Sequence, residues 1–185
     1  MAHKIKIIKY AVFKVKTDRL FNKNLGDEAW MGVCGTRKGI SMLTLPCSDK
    51  EAVMKAIKER AGDALLEESP KHFESLKKEL DLYFSGRQVD LEYNIDLSGF
   101  TSFQTAVFTS ARSIPYGQTR SYRWVAKKIG NPKGFRAVGQ GLKANSIPIL
   151  IPCHRVIREN GKIGGFSSGK GWKERLLQLE GALLT

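Results

Sequence analysis

The sequence predicts an α/β (α+β) protein built from two domains. Residues 1–96 are expected to form a small N-terminal α/β domain with an antiparallel sheet. Residues 97–185 are expected to form a mostly helical C-terminal domain that contains a helix-turn-helix. Three observations lead to this prediction: apolar residues alternate early in the chain, they recur at helical intervals later, and the charge balance changes abruptly near residue 96.

The positive charge of the chain is concentrated in its second half. With 185 residues and 42% hydrophobic content, the chain can bury a core, which argues against a disordered protein. The formal net charge is +13, but residues 1–96 carry 17 Lys and Arg against 15 Asp and Glu, whereas residues 97–185 carry 14 against 3. This one-sided excess favours a polyanionic partner, either nucleic acid or an anionic membrane surface.

The sequence favours an intracellular location. The first 16 residues are basic, but lysines interrupt their apolar positions every two or three residues, which does not fit a signal peptide. No stretch approaches the length of a membrane span, so no membrane-spanning segment is expected. Of the two polyanionic partners, we expect DNA and no membrane. The three cysteines, Cys34, Cys47 and Cys153, lack paired spacing, as is typical of a reducing compartment. We expect a cytoplasmic protein, or a nuclear one if the source is eukaryotic.

Strands are predicted at the start of the first domain. Residues 5–16, 30–34 and 40–45 mix apolar and polar positions in a roughly alternating way. The last two segments flank a short turn bounded by Gly35 and Gly39, which indicates two paired strands.

Two helices follow these strands, because apolar residues recur at helical spacing. Ser48, with Glu51 three residues later, has the spacing of a capping box for the first helix. Ser69-Pro70 is expected to open the second helix, and Gly86 to end it. The apolar positions are Val53, Ile57 and Ala61 in the first helix, and Phe73, Leu76, Leu80 and Phe84 in the second.

The first domain offers little chemistry. His3, Cys34, Cys47 and His72 could in principle bind zinc, but they lack C-x-x-C or H-x-x-x-H spacing. We therefore interpret the thiols as buried structural residues and expect no metal site.

A helix-turn-helix is predicted in the second domain. After a helix capped by Thr101 or Ser102, Ser121 is expected to cap a short helix that Gly130-Asn131-Pro132 ends. Pro132 is expected just before or in the first turn of a second helix, which runs to about Ala144. Its predicted faces are an inward stripe of Phe135, Val138 and Leu142, a basic face of Arg136, Gln140 and Lys143, and a small face of Ala137, Gly141 and Ala144.

The small face suggests close approach to a bulky partner. Gly139 and Gly141 each cost a helix up to about 1 kcal/mol relative to Ala, so their presence calls for an explanation. The wall of a DNA groove is one candidate. Tight packing against another helix is the alternative, and it could account for one of the two glycines.

The segment IPCHRV at 151–156 carries the chemistry of the second domain. The apolar run at 147–151 predicts a partly buried thiol, and apolar surroundings raise the pKa of a thiol. Activation must then come from His154, Arg155 and Arg158. Because adjacent side chains of an extended segment point in opposite directions, a Cys–His contact needs a turn or a bridging water.

Glu180 lies in the last turn of a predicted C-terminal helix, where the helix dipole disfavours a carboxylate. It therefore needs a partner. His154 is one choice, since a carboxylate would fix its tautomer, and an exposed pair with Lys173 or Arg175 is the other. Residues 161–171, rich in Gly, Ser and Lys, are interpreted as a mobile loop that could close over the thiol.

The motif Pro152-Cys153-His154-Arg155-Val156 resembles the active-site motif of the O6-alkylguanine-DNA alkyltransferases. The similarity runs from about Phe103 to Gly181 through IPYGQTRSY, RAVGQGLKAN, IPILIPCHRV, GGFSSG and the terminal LEG. The first domain is similar only in position and general character. The resemblance implies a methylated-DNA-[protein]-cysteine S-methyltransferase, a monomer without a cofactor. It would bind double-stranded DNA carrying O6-alkylguanine and reverse this damage, and O4-alkylthymine damage, irreversibly and once per molecule.

The resemblance also implies roles for individual residues. The Cys153 thiolate would attack the alkyl carbon of a guanine flipped out of the duplex. His154, acting through a water, would be the base for the thiol, with Glu180 orienting it. Tyr122 would donate a proton or hydrogen bond to the leaving guanine, and Asn145 would hold the turn.

Other residues would bind the DNA and the flipped base. Arg136 would enter the space that the base vacates, on a helix lying in the minor groove. Ala137, Gly141, Lys143, Tyr122 and Arg155 would also contact DNA. The expected base pocket comprises the backbone carbonyls of Cys153 and Val156, Phe166 in place of the tyrosine of some relatives, and Ser167.

Two other functions compete with this interpretation. A DNA-binding protein that senses alkyl damage without repairing it would typically lack the cysteine, which is present here. A Cys-His-Glu hydrolase would need an oxyanion site, and the sequence offers none beside the basic helix-turn-helix.

Overall fold

A computed structural model describes residues 6–17, 27–165, 169 and 171–182. The chain divides into two compact units, residues 1–96 and residues 97–185. The first unit combines a four-stranded sheet with helices, and the second is mostly helical, so the predicted fold class is confirmed.

The sheet of the first unit has the strand order β3-β2-β1-β4. β1 pairs with β2, and β2 with β3, in antiparallel fashion, as the alternating pattern predicts. Strand β4, which was not predicted, pairs with β1 in parallel and makes the sheet mixed. This edge strand is short and lies mostly exposed, so it lacks the alternation that marks a half-buried strand. The strands are β1 (Ile7–Lys16), β2 (Glu28–Thr36), β3 (Gly39–Leu43) and β4 (Leu65–Glu68).

Helix α1 (Lys50–Ala61) packs its apolar stripe on this sheet. Val53 and Ile57 are buried in a cluster with Ile8 of β1 and Cys34 of β2. The predicted cap is wrong by one residue, because the Asp49 carboxylate accepts the backbone N–H of Glu51 in place of Ser48.

The second predicted helix begins as a single 3-10 turn. Pro70–Phe73 forms that turn, and α2 (Glu74–Phe84) continues it. Leu76, Leu80 and Phe84 are buried as predicted, and the chain leaves the helix through Gly86 at φ 80°.

Within its described residues, the second unit surrounds a small core with four helices and one short parallel pair of strands. Thr101 caps α3 with a complete capping box, and Ser121 caps α4 by accepting the backbone N–H of Trp124. The elements are α3 (Ser102–Arg112), β5 (Arg120–Ser121), α4 (Tyr122–Lys128), α5 (Phe135–Lys143), a 3-10 turn (Cys153–Arg155), β6 (Val156–Ile157) and α6 (Trp172–Leu179).

Helices α4 and α5 form the predicted helix-turn-helix, with one correction. The second helix starts at Phe135, capped by Gly134, so Pro132 lies just before it, which is one of the two positions predicted. Val138 and Leu142 are buried as expected, but Phe135 is 38% exposed and does not belong to the inward stripe. At the first position of a helix a side chain can point past the end of the neighbouring helix, which periodicity alone does not reveal.

In the part of the chain that the structure describes, no helix has both the length and the apolar character needed to span a membrane.

The close approach at Gly39 predicts a large effect of a single methyl group. Gly39 has φ 135°, and a Cβ there would lie 2.2 Å from the carbonyl oxygen of Asn94. We expect Gly39→Ala to lower the free energy of unfolding, measured with urea, by more than about 1 kcal/mol. Gly99→Ala is the matched control, because a Cβ there meets no atom within 4 Å. Equal stability of the two variants would contradict a steric role for Gly39.

Candidate active site

Cys153 lies at a cavity of about 550 Å³ in the second unit. It begins the 3-10 turn between the apolar run and β6, and only 4% of the residue is exposed. Tyr122 of α4, Arg136 and Lys143 of α5, and Lys173 of α6 also line this cavity. The thiol is therefore reached through a depression rimmed by the helix-turn-helix.

Asn145 holds the loop that presents the thiol. Its amide nitrogen donates to the carbonyl oxygen of Ile151 at 2.9 Å and to Sγ of Cys153 at 3.0 Å, and its side-chain oxygen accepts the N–H of Ile147 at 2.9 Å. Inside this loop Ile149 has φ 73°, a left-handed conformation that is rare for a β-branched residue. Such backbone strain persists only where surrounding contacts impose it, and Asn145 supplies several of them.

Burial raises the pKa of the Cys153 thiol. The hydrogen bond from Asn145 and the positive charge of Lys173 act in the opposite direction, because both stabilise the thiolate. The resting thiol is thus largely protonated, and its neighbours lower the free energy needed to ionise it.

Lys173 is a functional candidate that the sequence analysis missed. It is only 3% exposed, and its ammonium donates to the carbonyl oxygen of Val156 at 2.5 Å and to the hydroxyl of Tyr122 at 3.2 Å. Burial lowers the pKa of Lys173 to about 8. The nearby Cys153 acts in the opposite direction, because it favours the charged form of the lysine. A signal was available, since Lys173 shares the spacing i, i+4, i+7 with Leu177 and Glu180 on one face of the last helix.

Glu180 bridges His154 and Arg155 below the thiol. Its Oε1 lies 2.8 Å from Nε2 of His154, and Arg155 donates through Nε to Oε2 at 2.8 Å and through Nη2 to Oε1 at 3.0 Å. The carboxylate is 5% exposed, so the exposed pair with Lys173 or Arg175 is not formed. Burial opposes ionisation of Glu180, but contacts with His154 and Arg155 outweigh it and hold its pKa at about 2.

Arg155, which the sequence predicts to contact DNA, makes its hydrogen bonds inside the unit. Besides its two bonds to Glu180, its Nη1 donates to the carbonyl oxygen of Ile114 at 2.7 Å. Its side chain is only 12% exposed. Arg155 is needed inside the unit because a buried carboxylate requires a compensating charge.

His154 is neutral, because burial lowers its pKa. With the proton on Nε2, the ring donates to Glu180, which leaves a lone pair on Nδ1. That nitrogen is fully buried and has no hydrogen-bond partner among the described residues. The ring can therefore act as a base, because its Nδ1 can accept a proton.

The predicted DNA-facing residues of α5 divide into two groups. Arg136, Ala137 and Lys143 are exposed. Gly141 is buried, and a Cβ there would meet the ring of Phe103 at 3.4 Å, so this glycine faces α3. Close packing of α5 on α3 explains this glycine, which was the alternative considered from the sequence.

The remaining site predictions concern the base pocket and the other thiols. Val156 is buried, whereas Phe166 and Ser167 lie outside the described residues. Burial raises the pKa of Cys34 in β2 to about 11, which makes it a poor nucleophile.

Comparison with known proteins identifies similarities over both units. Residues 102–182 match the family described as the DNA-binding domain of 6-O-methylguanine DNA methyltransferase, and residues 31–97 match its ribonuclease-like domain. A methylated-DNA–protein-cysteine methyltransferase of Methanosarcina acetivorans is 44% identical over 62% of this chain and 73% of that protein. The inducible enzyme of Bacillus subtilis is 34% identical over 80% of this chain and 82% of its own.

Solved structures agree with these sequence matches. Mycobacterium tuberculosis OGT, crystallised in complex with DNA, is 28% identical and aligns over 94% of this chain and 92% of its own with a TM-score of 0.70.

The buried carboxylate predicts a specific dependence of stability on pH. The folded pKa of Glu180, about 2, lies below its ordinary 4.5, so ionised Glu180 stabilises the fold above pH 4.5 and this contribution is lost as the pH falls toward 2. We expect Glu180→Gln to lower the free energy of unfolding by about 3 kcal/mol at pH 7. In urea titrations the difference from the unsubstituted protein should shrink toward pH 2.

Glu159→Gln is the matched control for this substitution. Glu159 pairs with Arg123 at 3.1 Å, but its side chain is 63% exposed, so its removal should cost less than about 1 kcal/mol. A pH-independent effect of Glu180→Gln would contradict the proposed ionisation.

Proposed function

Because this chain belongs to the methylated-DNA–protein-cysteine methyltransferase family, we propose that Cys153 accepts the alkyl group from O6-alkylguanine in double-stranded DNA. The protein is a DNA-repair methyltransferase that binds DNA and transfers the alkyl group of the damaged base to one of its own cysteines. The observation that carries the assignment to Cys153 is its position at the cavity, beside a neutral His154 oriented by Glu180.

The reaction is a single displacement. The thiol proton passes through a water to Nδ1 of His154, and the Cys153 sulfur attacks the alkyl carbon. The new carbon–sulfur bond forms as the bond between carbon and O6 breaks, and guanine leaves with that electron pair. Glu180 stabilises the protonated ring of His154. The product is a neutral thioether, which is a poor leaving group, so each molecule acts once.

Tyr122 and Lys173 act on the leaving guanine and on the thiolate. The Tyr122 hydroxyl lies at the cavity and donates a hydrogen bond or proton to the base as negative charge develops on it. The Lys173 ammonium, 3.2 Å from that hydroxyl, holds it in place and stabilises the thiolate electrostatically. The Val156 carbonyl, which already accepts from Lys173, retains a lone pair for the exocyclic amine of the base.

DNA binding is assigned to the exposed residues of α5. Arg136 fills the space left by the flipped base, while Ala137 allows close approach and Lys143 contacts the backbone. Flipping is required because the thiol of a residue that is 4% exposed cannot reach the alkyl carbon on O6 of a stacked base. We also assign Phe166 and Ser167 to the base pocket. The protein acts as a monomer on chromosomal DNA in the cytoplasm or, in a eukaryote, in the nucleus, and also accepts O4-alkylthymine.

A sensor of alkyl damage would use the same DNA-binding surface without a chemical step. Against this alternative, the activated Cys153 and the His154–Glu180 pair are present together. A hydrolase would pass the group from Cys153 to water and turn over repeatedly, which distinguishes it by stoichiometry.

Mass spectrometry of the reacted protein tests the identity of the acceptor. After incubation with a duplex carrying one O6-methylguanine, we expect a single methyl group on the peptide that contains Cys153. The yield should not exceed one methyl per protein molecule, because the thioether blocks the acceptor. Methylation of Cys34 or Cys47, or repeated turnover, would refute the assignment.

Cys153→Ala separates binding from chemistry. This variant should lose all transfer but still bind duplex DNA, with an affinity that falls steeply as salt rises, because phosphate contacts release counterions. Complete loss of binding would contradict a purely chemical role of the thiol.

Substitution of Lys173 tests its role in activating the thiol. We expect Lys173→Met to slow methyl transfer by about 100-fold, which is typical of removing one preorganised donor. The pH at which Cys153 reacts with iodoacetamide should rise, because the thiolate loses a nearby positive charge. Both the single-turnover rate and the pH profile of thiol modification can be measured on the same protein.

Lys55→Met, at an exposed position of α1, is the control for general loss of charge. Thermal unfolding, recorded in parallel, identifies a variant that has lost its fold. A folded Lys173→Met protein with an unshifted thiol profile would rule out the electrostatic role.

A further inference from the structure

Phe135 is a large apolar side chain that the fold leaves in solvent. It opens α5, directly before Arg136, and is 38% exposed. The core of the unit is closed without it, because Val138 and Leu142 supply the buried stripe of the same helix. The exposed part of the Phe135 ring costs hydrophobic free energy in the unbound protein.

Two guanidinium groups flank the ring of Phe135. The Cζ atom of Arg123, on α4, lies 5.6 Å from the ring centroid, and that of Arg136 lies 6.0 Å from it. These distances are within the range of cation–π contacts. A partly exposed aromatic ring close to two positive charges suits a polyanion that also presents flat apolar faces.

The ring also lines the cavity that contains the reactive thiol. Phe135, Arg136 and Cys153 contribute to one continuous depression. A nucleotide displaced into that cavity leaves its neighbours in the stack with an uncovered face. Phe135 lines this cavity directly before Arg136 on α5.

We propose that Phe135 is a DNA-contacting residue that packs its ring against the base step next to the displaced guanine. This inference rests on the proposed function, since it requires a base flipped into the cavity. Aromatic rings stack on nucleobases without regard to sequence, and apolar side chains inserted at a base step help to unstack it. Phe135 thus lowers the free energy of the opened duplex, while Arg136 fills the vacated space.

The same geometry favours nucleic acid over a protein partner as the occupant. The residues 97–185 carry 14 Lys and Arg against 3 Asp and Glu, and both cations that flank the ring are arginines. Arginine binds phosphate through paired hydrogen bonds while its planar face stays on an aromatic ring.

Phe135→Ala tests the proposal in binding and in transfer. On a duplex with one O6-methylguanine, we expect its affinity to fall about tenfold, as for loss of one base–aromatic stack. The slope of log affinity against log salt should stay unchanged, because the variant removes no charge. Phe135→Tyr keeps the ring and should stay within about twofold of the unsubstituted protein. Leu65→Ala is the matched control, since Leu65 is 56% exposed but lies on β4 in the other unit.

Two further measurements separate stacking on the DNA from an effect on the cavity. The rate of methyl transfer from duplex DNA should fall about tenfold more than the rate from free O6-methylguanine base, which has no neighbouring nucleotides. A 2-aminopurine placed beside the lesion should brighten less with Phe135→Ala than with the unsubstituted protein, because it is unstacked less.

Three outcomes would overturn the proposal. Affinity of Phe135→Ala within about twofold of the unsubstituted protein would exclude a DNA contact. A salt slope lowered by about one would show that the ring only positions an arginine. An equal loss with the free base would place its effect on the cavity instead. Failure of the proposed function is distinguishable, because the unsubstituted protein would then transfer no methyl group.

Discussion

The second unit depends on the contacts that the buried carboxylate of Glu180 makes with His154 and Arg155. This carboxylate joins the end of α6 to the 3-10 turn that carries Cys153, and through Arg155 it reaches the carbonyl of Ile114 after α3. A charge in such a position is stable only when its partners are complete. The carboxylate also fixes the orientation of the His154 ring, so folding and preparation of the base are one process. The basic helix-turn-helix then needs only to bring the DNA to a site that is already assembled.

Much of the fold follows from local sequence, because caps, glycines and apolar periodicity act over a few residues. The capping of α3 by Thr101 and of α4 by Ser121 are examples. The edge strand β4 escaped prediction because its pairing with β1 involves residues more than 50 positions apart and leaves no alternation in its own four residues. Phe135 was misplaced for a related reason: periodicity gives the face of a helix but not where the neighbouring helix ends.

The site was predictable in its chemistry and less so in its long-range contacts. The motif around Cys153 indicated the nucleophile and its base, and the unfavourable position of Glu180 indicated a buried partner. The motif could not show that Arg155 turns inward, because an arginine beside a basic helix suits DNA equally well. The roles of Gly141 and Lys173 depend on which elements pack together, which the sequence does not show. In the structure Gly141 packs against α3, and Lys173 contacts Tyr122.

The raised pKa of the buried Cys153 thiol affects how long the acceptor stays unreacted before it meets a damaged base. An acceptor that is used once is wasted by any chance encounter with a soluble electrophile. A thiolate is far more nucleophilic than a thiol, so a largely protonated sulfur in a residue that is 4% exposed should react slowly with small alkylating agents or oxidants. The chemically quiet resting state therefore preserves the stock of active molecules while they search undamaged DNA.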